Sequence, residues 1–577
     1  MPTSILGQCD MVLALSQDTI NYQFAQLWQR HVIRNDWKVL VRSQTGSDTV
    51  KTQEDSDFDA VLSLWLQTQS HLAELYAAGK YEEFGKALAE AIKNGWLWNY
   101  GWTSNIDAPA ITILQSTRTS LLFVIQFSSG FLYSNSDPTK GISSYDLTKS
   151  VYAFDVPIGR IEIGKHEILT AEAQNQADQV IRETGLTDSD FTIEALFLDF
   201  ENANIANFDA PASRFPQGAT TALQVAVQDY FKLIVVKQKN PYILGYAIKV
   251  KTITSQKALF QPTAARFSTS YSDRQSARAF NFLLMGGNRG FPPGQNVGIL
   301  PASLLEHADS GVDGVFAIDY GIFEAALIEP FIKALQAAVT KGFRSSGYTR
   351  SGQHWSLSAQ SSNSKSVDLP PSDLLHDTDM DSDMSVNSML DLKNSGTALV
   401  LGGAIEYALT IEIRPWVLFK GGRTTAYRAR LSTSGQYKEG PSGKKGQPGY
   451  VEIAIAPGTE GKVNFTITRS DAPALGYGSK PDEHEGGGGI WGVIQSDWNS
   501  FSKEDAEVAA IDATQRIAAI INDVKSRLQD TINSLSVGKV ILPLGQIYAF
   551  KHVLMATTDS TDDNAVLFNI NYAPVVH

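Results

Sequence analysis

The sequence predicts an elongated α+β protein in which long amphipathic helices are wrapped by highly curved antiparallel β-sheets. Three observations carry this expectation. Apolar residues recur at helical spacing in a few long segments, above all residues 502–535, and at strand spacing between them. The order helix, strands, helix, strands occurs twice without sequence identity between the copies, which divides the chain into units 1–309 and 310–577. Of 577 residues, 43% are hydrophobic and 19% charged, enough to bury a sizeable core and to exclude wholesale disorder.

The first helix follows Ser16, an N-cap residue with Asp18 in the first turn. Ile20, Phe24, Leu27 and Trp28 then form one stripe that ends near Arg30. Residues 58–94 read as two helices broken at Gly79. Val61, Trp65, Leu72, Leu75 and Tyr76, then Phe84, Leu88 and Ile92, are expected to face inward. From Trp96 to Ile168 the period becomes strand-like, with β-branched and aromatic residues at Ile111, Ile113, 121–127 and 152–163. A polar helix over 171–183, a strand over 191–200 and a helix over 220–236 follow. The last of these places Leu223, Val227, Phe231 and Ile234 on one side. Strands return between Tyr242 and Phe267.

In the second half a helix starts near Asp319 and runs to about Thr340, with Leu327, Phe331, Leu335 and Ala338 on one face. Pro330 in its interior costs about 3 kcal/mol and kinks it. Residues 342–367, dominated by Ser, Gly and Gln, read as a long loop or an edge hairpin. Alternation is clear in Tyr407-Ala-Leu-Thr-Ile-Glu-Ile413 and Val451-Glu-Ile-Ala-Ile455, antiparallel strands with one polar face. The final helix opens with Ser502-Lys-Glu-Asp505, a capping box with Asp in place of Glu. It continues without Gly or Pro to about Leu535, a length of roughly 50 Å. Residues 540–544 and 564–572 supply closing strands.

Composition and motifs exclude several classes. With 48 Lys and Arg against 61 Asp and Glu, the net charge of −13 opposes binding that depends on neutralising nucleic-acid phosphates. Cys9 alone permits neither an intrachain disulfide nor a cysteine-based zinc site. Residues 1–15 lack a basic start and are interrupted by Gln8 and Asp10, so no signal peptide is expected. Residues 121–127 are too short to span a bilayer, and 398–413 contain Glu406 and Glu412. The expected protein is cytoplasmic as synthesised and leaves the cell, if it does, without a signal peptide.

Catalytic spacings fail throughout. There is no phosphate-binding G-x-x-x-x-G-K-[ST], and Gly440-Pro-Ser-Gly-Lys-Lys-Gly446 is a basic turn. After His166-Glu167 the second metal-binding histidine would fall at Thr170, and Gly342-Phe-Arg-Ser-Ser-Gly347 lacks the nucleophile-elbow spacing. No enzyme, cofactor or metal centre is expected.

Two segments keep two readings each. Asp377-Thr-Asp-Met-Asp-Ser-Asp383 alternates carboxylates, but an EF-hand would need Gly at Ser382 and Glu at Ser388. A solvated strand face is favoured over an irregular cation site. Trp96-Leu-Trp-Asn-Tyr-Gly-Trp102 sets four aromatics at period two. Packing against a helix is favoured over an outward face for sugars or a membrane interface. Met285-Gly-Gly-Asn-Arg-Gly290 and residues 486–489 read as tight loops.

Gly7-Gln-Cys-Asp-Met-Val12 followed by Ser16-Gln-Asp-Thr-Ile-Asn21 resembles the opening of P-47 proteins, where an Asp-x-Val strand leads into a helix. Phe316-Ala-Ile-Asp-Tyr-Gly-Ile-Phe323, ending at Ile328-Glu-Pro330, looks like that family's second helix entry. Cys9 stands where the family often has tryptophan. The resemblance implies a TULIP fold, as in P-47 and its OrfX relatives, a tubular lipid-binding architecture. It also implies a role beside a bacterial toxin of insecticidal or neurotoxin type, with a toxin or companion protein of the same gene cluster as partner. None of these motifs is catalytic, so no active-site residue is carried over.

A lipid or other apolar ligand is expected where a helix face is too small to fill a sheet's curvature. The final helix offers Ala506, Ala510 and Ala513 beside bulky Ile517 and Ile521, with Leu327, Phe331 and Leu335 as the opposing wall. A twelve-carbon chain buried there would gain about 9–10 kcal/mol gross. The competing expectation is that large sheet residues fill the space above the alanines. The other functional class is a β-rich adhesive, sugar-binding or pore-forming module with outward aromatics, and a hydrolase stands third.

Overall fold

The structure is a computed structural model. It describes residues 5–44, 47–115, 119–135, 137–184, 187, 189–231, 240–251, 262–287, 289–293, 299–309, 311–340, 343–344, 347–372, 375–419, 422–425, 428–434, 449–458, 463–471, 483–485, 540–545, 547–556 and 564–573. Among these residues the fold is mixed α and β, with three sheets built from antiparallel pairs.

The central sheet explains the twofold element order. Its six strands run Pro262–Ser270, Ala279–Gly286, Met11–Ser16, Gly314–Asp319, Ala565–Ala573 and Ile547–Ala556. Three come from each side of residue 310, and the two trios mirror one another about the antiparallel pair Met11–Ser16 and Gly314–Asp319. Both strands of that pair lead into a capped helix. Ser16 Oγ accepts a hydrogen bond from the Thr19 amide at 3.0 Å, and Asp319 Oδ1 accepts one from the Ile322 amide at 3.1 Å. Period-two alternation sends Met11, Leu13 and Leu15 into the main core, and Val12 and Ala14 into a smaller one with Cys9, Leu304 and Leu567. The smaller core also carries a polar row: Asn281 and Asn569, both fully buried, flank Ala14 and Val315 in register.

The second sheet begins at Val540–Ile541 and continues through Ile243–Val250, Phe191–Leu198, Val151–Ile163 and Ser120–Ser134. It ends with Tyr100–Ile106, Asp36–Gln44 and Ser47–Thr52, and Ala110–Thr112 and Ser143–Asp146 join on Ser120–Ser134. Helix α1 (Gln17–Gln29) buries Ile20, Phe24 and Leu27 in the main core. Helices α2 (Phe58–Ala77) and α3 (Tyr81–Asn94) cover part of the opposite face, where Trp65 meets Leu40, Phe58 and Trp98. Gly79, at φ +74°, makes the break between them. Two inward assignments need correction. Tyr76 and Ile92 are 41% and 63% exposed; α3 rests chiefly on α2, and among the described residues no further layer covers the pair. Helices α4 (Ala171–Thr184) and α5 (Thr220–Asp229) complete this half; residues 232–236 of the longer helix expected there lie outside the described residues.

The aromatic run at 96–102 is packed, though not as one face. The strand starts only at Tyr100, so Trp98 turns beneath α2 while Tyr100 and Trp102 enter the main core. Phe127 and Gly130 sit on the neighbouring strand Ser120–Ser134, where the register shifts by one residue opposite Asn105 and Ile106.

The third sheet runs Thr349–Ser351, His354–Ser372, Leu375–Ser395, Ala398–Phe419, Arg428–Ser434 and Glu483–Glu485; Gly422–Thr425, Gly449–Pro457 and Val463–Asp471 lie off this path. The Ser/Gly-rich stretch 342–367 is therefore not a long loop. It contains the edge hairpin, with Trp355, Leu357 and Ala359 buried between exposed Ser356 and Ser358. Three inward residues among so many serines gave too weak a period to read. Asp377 to Asp383 lie within the strand Leu375–Ser395. The strand Ile547–Ala556 and the hairpin of Asp36–Gln44 with Ser47–Thr52 were not anticipated.

The helix expected over residues 502–535, with Ala506, Ala510, Ala513, Ile517 and Ile521, lies outside the described residues, as do 440–446 and 486–489. Among the described residues the longest uninterrupted α-helix is α2, at 20 residues.

Candidate ligand-binding interior

The segment after Asp319 is one continuous turn-by-turn helix with three geometries. It comprises α6 (Tyr320–Phe323), a π-helical segment (Glu324–Ile328) and α7 (Glu329–Val339). Pro330 accounts for this. It has no N–H to give, and in an α-helix its ring would collide with the carbonyl four residues back. Widening to π geometry over Glu324–Ile328 places Pro330 in the first turn of α7, where a missing donor is harmless. The expected kink is thus replaced by a π segment.

Leu327, Phe331 and Leu335 are at most 2% exposed. They belong to one apolar cluster with Trp355, Leu357, Val386 and Leu390 of the third sheet and Phe568 and Ile570 of the central sheet. The cluster is continuous into the second sheet. There it becomes aromatic: Trp37 stacks on Tyr230 at 4.1 Å between centroids and on Trp102 at 5.6 Å, with Phe127 edge-on to both indoles.

One charged group enters this interior from the π segment. Glu324 is 3% exposed, and Arg350 Nε of the edge strand Thr349–Ser351 lies 2.8 Å from its Oε1. Arg350 also lies over the Tyr320 ring, 5.6 Å from its centroid. Burial pushes the Glu324 carboxyl above its ordinary range; Arg350 opposes that shift and Glu329 adds to it. Burial likewise raises the Tyr320 phenol. Sequence reading missed this pair. Glu324 falls among apolar residues of a helix, a recognisable signal, but its partner is 26 positions away in a segment for which a loop and an edge hairpin were both open readings.

An open groove of about 600 Å³ lies on the other face of the third sheet. Strand register sets out its floor in two rows, Thr349–Ser356–Met389–Ala404 and Ser358–Asn387–Glu406. Met389, 62% exposed, is the apolar centre of this polar surface.

Chemistry elsewhere is sparse. Burial and neighbouring Asp10 push the Cys9 thiol up to about 12, which keeps it protonated and poorly nucleophilic. Asp10 itself accepts from the Gly286 amide at 2.7 Å and pairs with Arg289 at 2.8 Å, closing the turn after Met285. His354 Nδ1 lies 2.7 Å from Asp391, and His552 pairs with Asp309, both at partly exposed positions. Among the described residues no group of three His, Cys, Asp or Glu side chains is arranged to hold a metal ion, and no helix is long and apolar enough to cross a membrane.

No family model and no curated protein matches the chain. Among solved structures, the chain is similar to P47 of Clostridium botulinum E1, at 10% identity over 98% of this chain and 99% of that one, with a TM-score of 0.38. It is also similar to a lipopolysaccharide binding protein, at 11% identity over 98% of this chain and 99% of that one, with a TM-score of 0.24. Likenesses this distant do not assign the chain to a family.

Proposed function

We propose that this chain is a non-enzymatic binding protein that holds a lipid or another apolar molecule in its interior. The observation behind the reading is the row Leu327, Phe331 and Leu335, which is buried and belongs to one apolar cluster running through all three sheets. An alkyl chain laid along such a wall gains about 0.8 kcal/mol for each methylene removed from water. In this reading the opposing wall is the alanine face at Ala506, Ala510 and Ala513, closed at one end by Ile517 and Ile521. The role beside a bacterial insecticidal or neurotoxin-type toxin, with a toxin or companion protein as partner, rests on the sequence resemblance at 7–21 and 316–330.

Replacing Ala510 with Trp tests the reading. In a variant that keeps its circular dichroism, the indole is expected to displace the ligand, so lipid released by solvent extraction should fall severalfold. Unchanged lipid content in the folded variant would remove this wall from consideration. A second reading, a β-rich surface-binding module, is favoured by the groove around Met389, whose polar rim and apolar centre suit a ligand docked from outside.

A further inference from the structure

Arg30, Arg34, Arg160, Arg289 and Arg350 each face a Glu or Asp side chain. Arg278 is different: among the described residues no carboxylate pairs with it. Its Nε donates to the Ser272 carbonyl oxygen at 3.1 Å and its Nη2 to the Tyr271 hydroxyl at 3.4 Å. The guanidinium carbon lies over the Tyr271 ring, 4.7 Å from its centroid. Both bonds use the Nε–Nη2 edge of the guanidinium. Among the described residues the parallel N–H pair at its tip, one from Nη1 and one from Nη2, has no acceptor.

Arg278 and Tyr271 line an open pocket of about 540 Å³ together with Leu114 and Gln115. Tyr271 and Arg278 flank the turn between the strands Pro262–Ser270 and Ala279–Gly286, whereas Leu114 and Gln115 follow the short strand Ala110–Thr112. Gln17, 2% exposed at the start of α1, fastens one wall to the other. Its amide donates to the Arg278 carbonyl oxygen at 2.9 Å, and its Oε1 accepts from the Ile113 amide at 2.8 Å. The two walls are thus held in place before any ligand arrives, which lowers the ordering cost of binding.

We infer that this pocket binds a carboxylate, received by the free N–H pair of Arg278 and assisted by the Tyr271 hydroxyl and the Gln115 amide. Two parallel N–H groups match the two oxygens of a planar carboxylate. The Tyr271 hydroxyl accepts from Arg278 and keeps its own proton to donate. Charge favours a monoanion over a phosphate dianion. In the turn between the two strands Asp273 and Arg274 offset one another, so Arg278 supplies a single uncompensated positive charge. Leu114 and the Tyr271 ring offer apolar surface to the carbon beside the carboxylate. Ile113, next to Leu114, is fully buried in the main apolar cluster, so a chain attached to the carboxylate starts at the wall of that cluster. That the carboxylate carries an apolar tail rests on the proposed function; the Arg278 pocket does not.

The full-length protein, delipidated on a hydrophobic resin, is titrated calorimetrically at pH 7 with dodecanoate, dodecanol, acetate and inorganic phosphate. Arg278→Gln and Arg278→Lys, the second keeping the charge without the fork, are titrated beside it after circular dichroism confirms folding. Dodecanoate is expected to bind wild type about tenfold more tightly than dodecanol, and to lose about that factor in Arg278→Gln while dodecanol is unchanged. Arg278→Lys should recover only part of the loss. Acetate weaker than dodecanoate supports a tailed acid. Acetate equally tight, with the same dependence on Arg278, supports the carboxylate site and makes its ligand a small organic acid. Unchanged dodecanoate affinity in folded Arg278→Gln overturns the site. Phosphate tighter than acetate overturns the carboxylate class. Dodecanol bound as tightly as dodecanoate overturns this inference and leaves the proposed function standing, whereas failure of all four probes overturns both. Should the variants not fold, the wild-type orders of dodecanoate against dodecanol and acetate against phosphate still decide the question.

Discussion

Gly130→Ala is expected to destabilise the protein by about 3–5 kcal/mol, the sum of left-handed backbone strain and overpacking against a fixed neighbour. Gly130 has φ +124°, a conformation L side chains rarely adopt. A Cβ there would come within 2.1 Å of the Thr103 carbonyl oxygen and 2.4 Å of Ser104 Cα, backbone atoms that cannot move aside alone. Gly85→Ala is the control: that glycine lies inside α3 with open space around it, so alanine should stabilise by about 0.5–1 kcal/mol. Urea unfolding followed by tryptophan fluorescence compares the two. A Gly130→Ala midpoint indistinguishable from wild type would mean that the left-handed backbone of Gly130 opposite Ser104 is not as described.

The second large effect concerns Glu324 and Arg350. Removing one partner of a buried ion pair costs about 3–5 kcal/mol, and with the Arg350 side chain 48% exposed a smaller loss of about 2 kcal/mol is expected for Arg350→Ala at pH 8. The sign of the pH dependence follows from the carboxyl. Its folded-state pKa is raised, so its contribution to stability is fully present below about pH 4, where it is protonated folded or unfolded, and is lost as pH rises through the folded value. Without Arg350 that folded value rises further, because the one group lowering it is gone. The deficit of Arg350→Ala should therefore nearly vanish at pH 4 and grow toward pH 8. Adding Glu324→Gln should remove most of it. Thermal midpoints at both pH values check this, and an equal deficit at each would show that Arg350 acts through packing alone.

Much of the first half could be read because its signals are local. Ser16, Asp18 and the stripe Ile20, Phe24, Leu27 define α1 within one window, and the Gly79 break needs no tertiary knowledge. Long β-branched runs such as Val151–Ile163 announce themselves. What failed was non-local. Tyr76 and Ile92 fit an inward pattern, yet among the described residues nothing lies beyond them to bury them. Trp355, Leu357 and Ala359 were hidden among serines, and the pairing that orders them is with Leu390, Ser388 and Val386 across the next strand. Of the candidate site, the wall Leu327, Phe331 and Leu335 could be read as one apolar face. The Glu324–Arg350 pair and the Arg278 pocket could not, since each joins segments that only the fold brings together.

The central claim is that the interior carries an apolar ligand, and a native mass spectrum of the full chain, purified without detergent, tests it most directly. The expected result is a mass above that of the 577-residue polypeptide, with the excess lost on gentle activation and recovered as a molecule soluble in organic solvent. A spectrum showing only the bare polypeptide mass, with no apolar molecule in the extract and none taken up when lipid is offered, would contradict it.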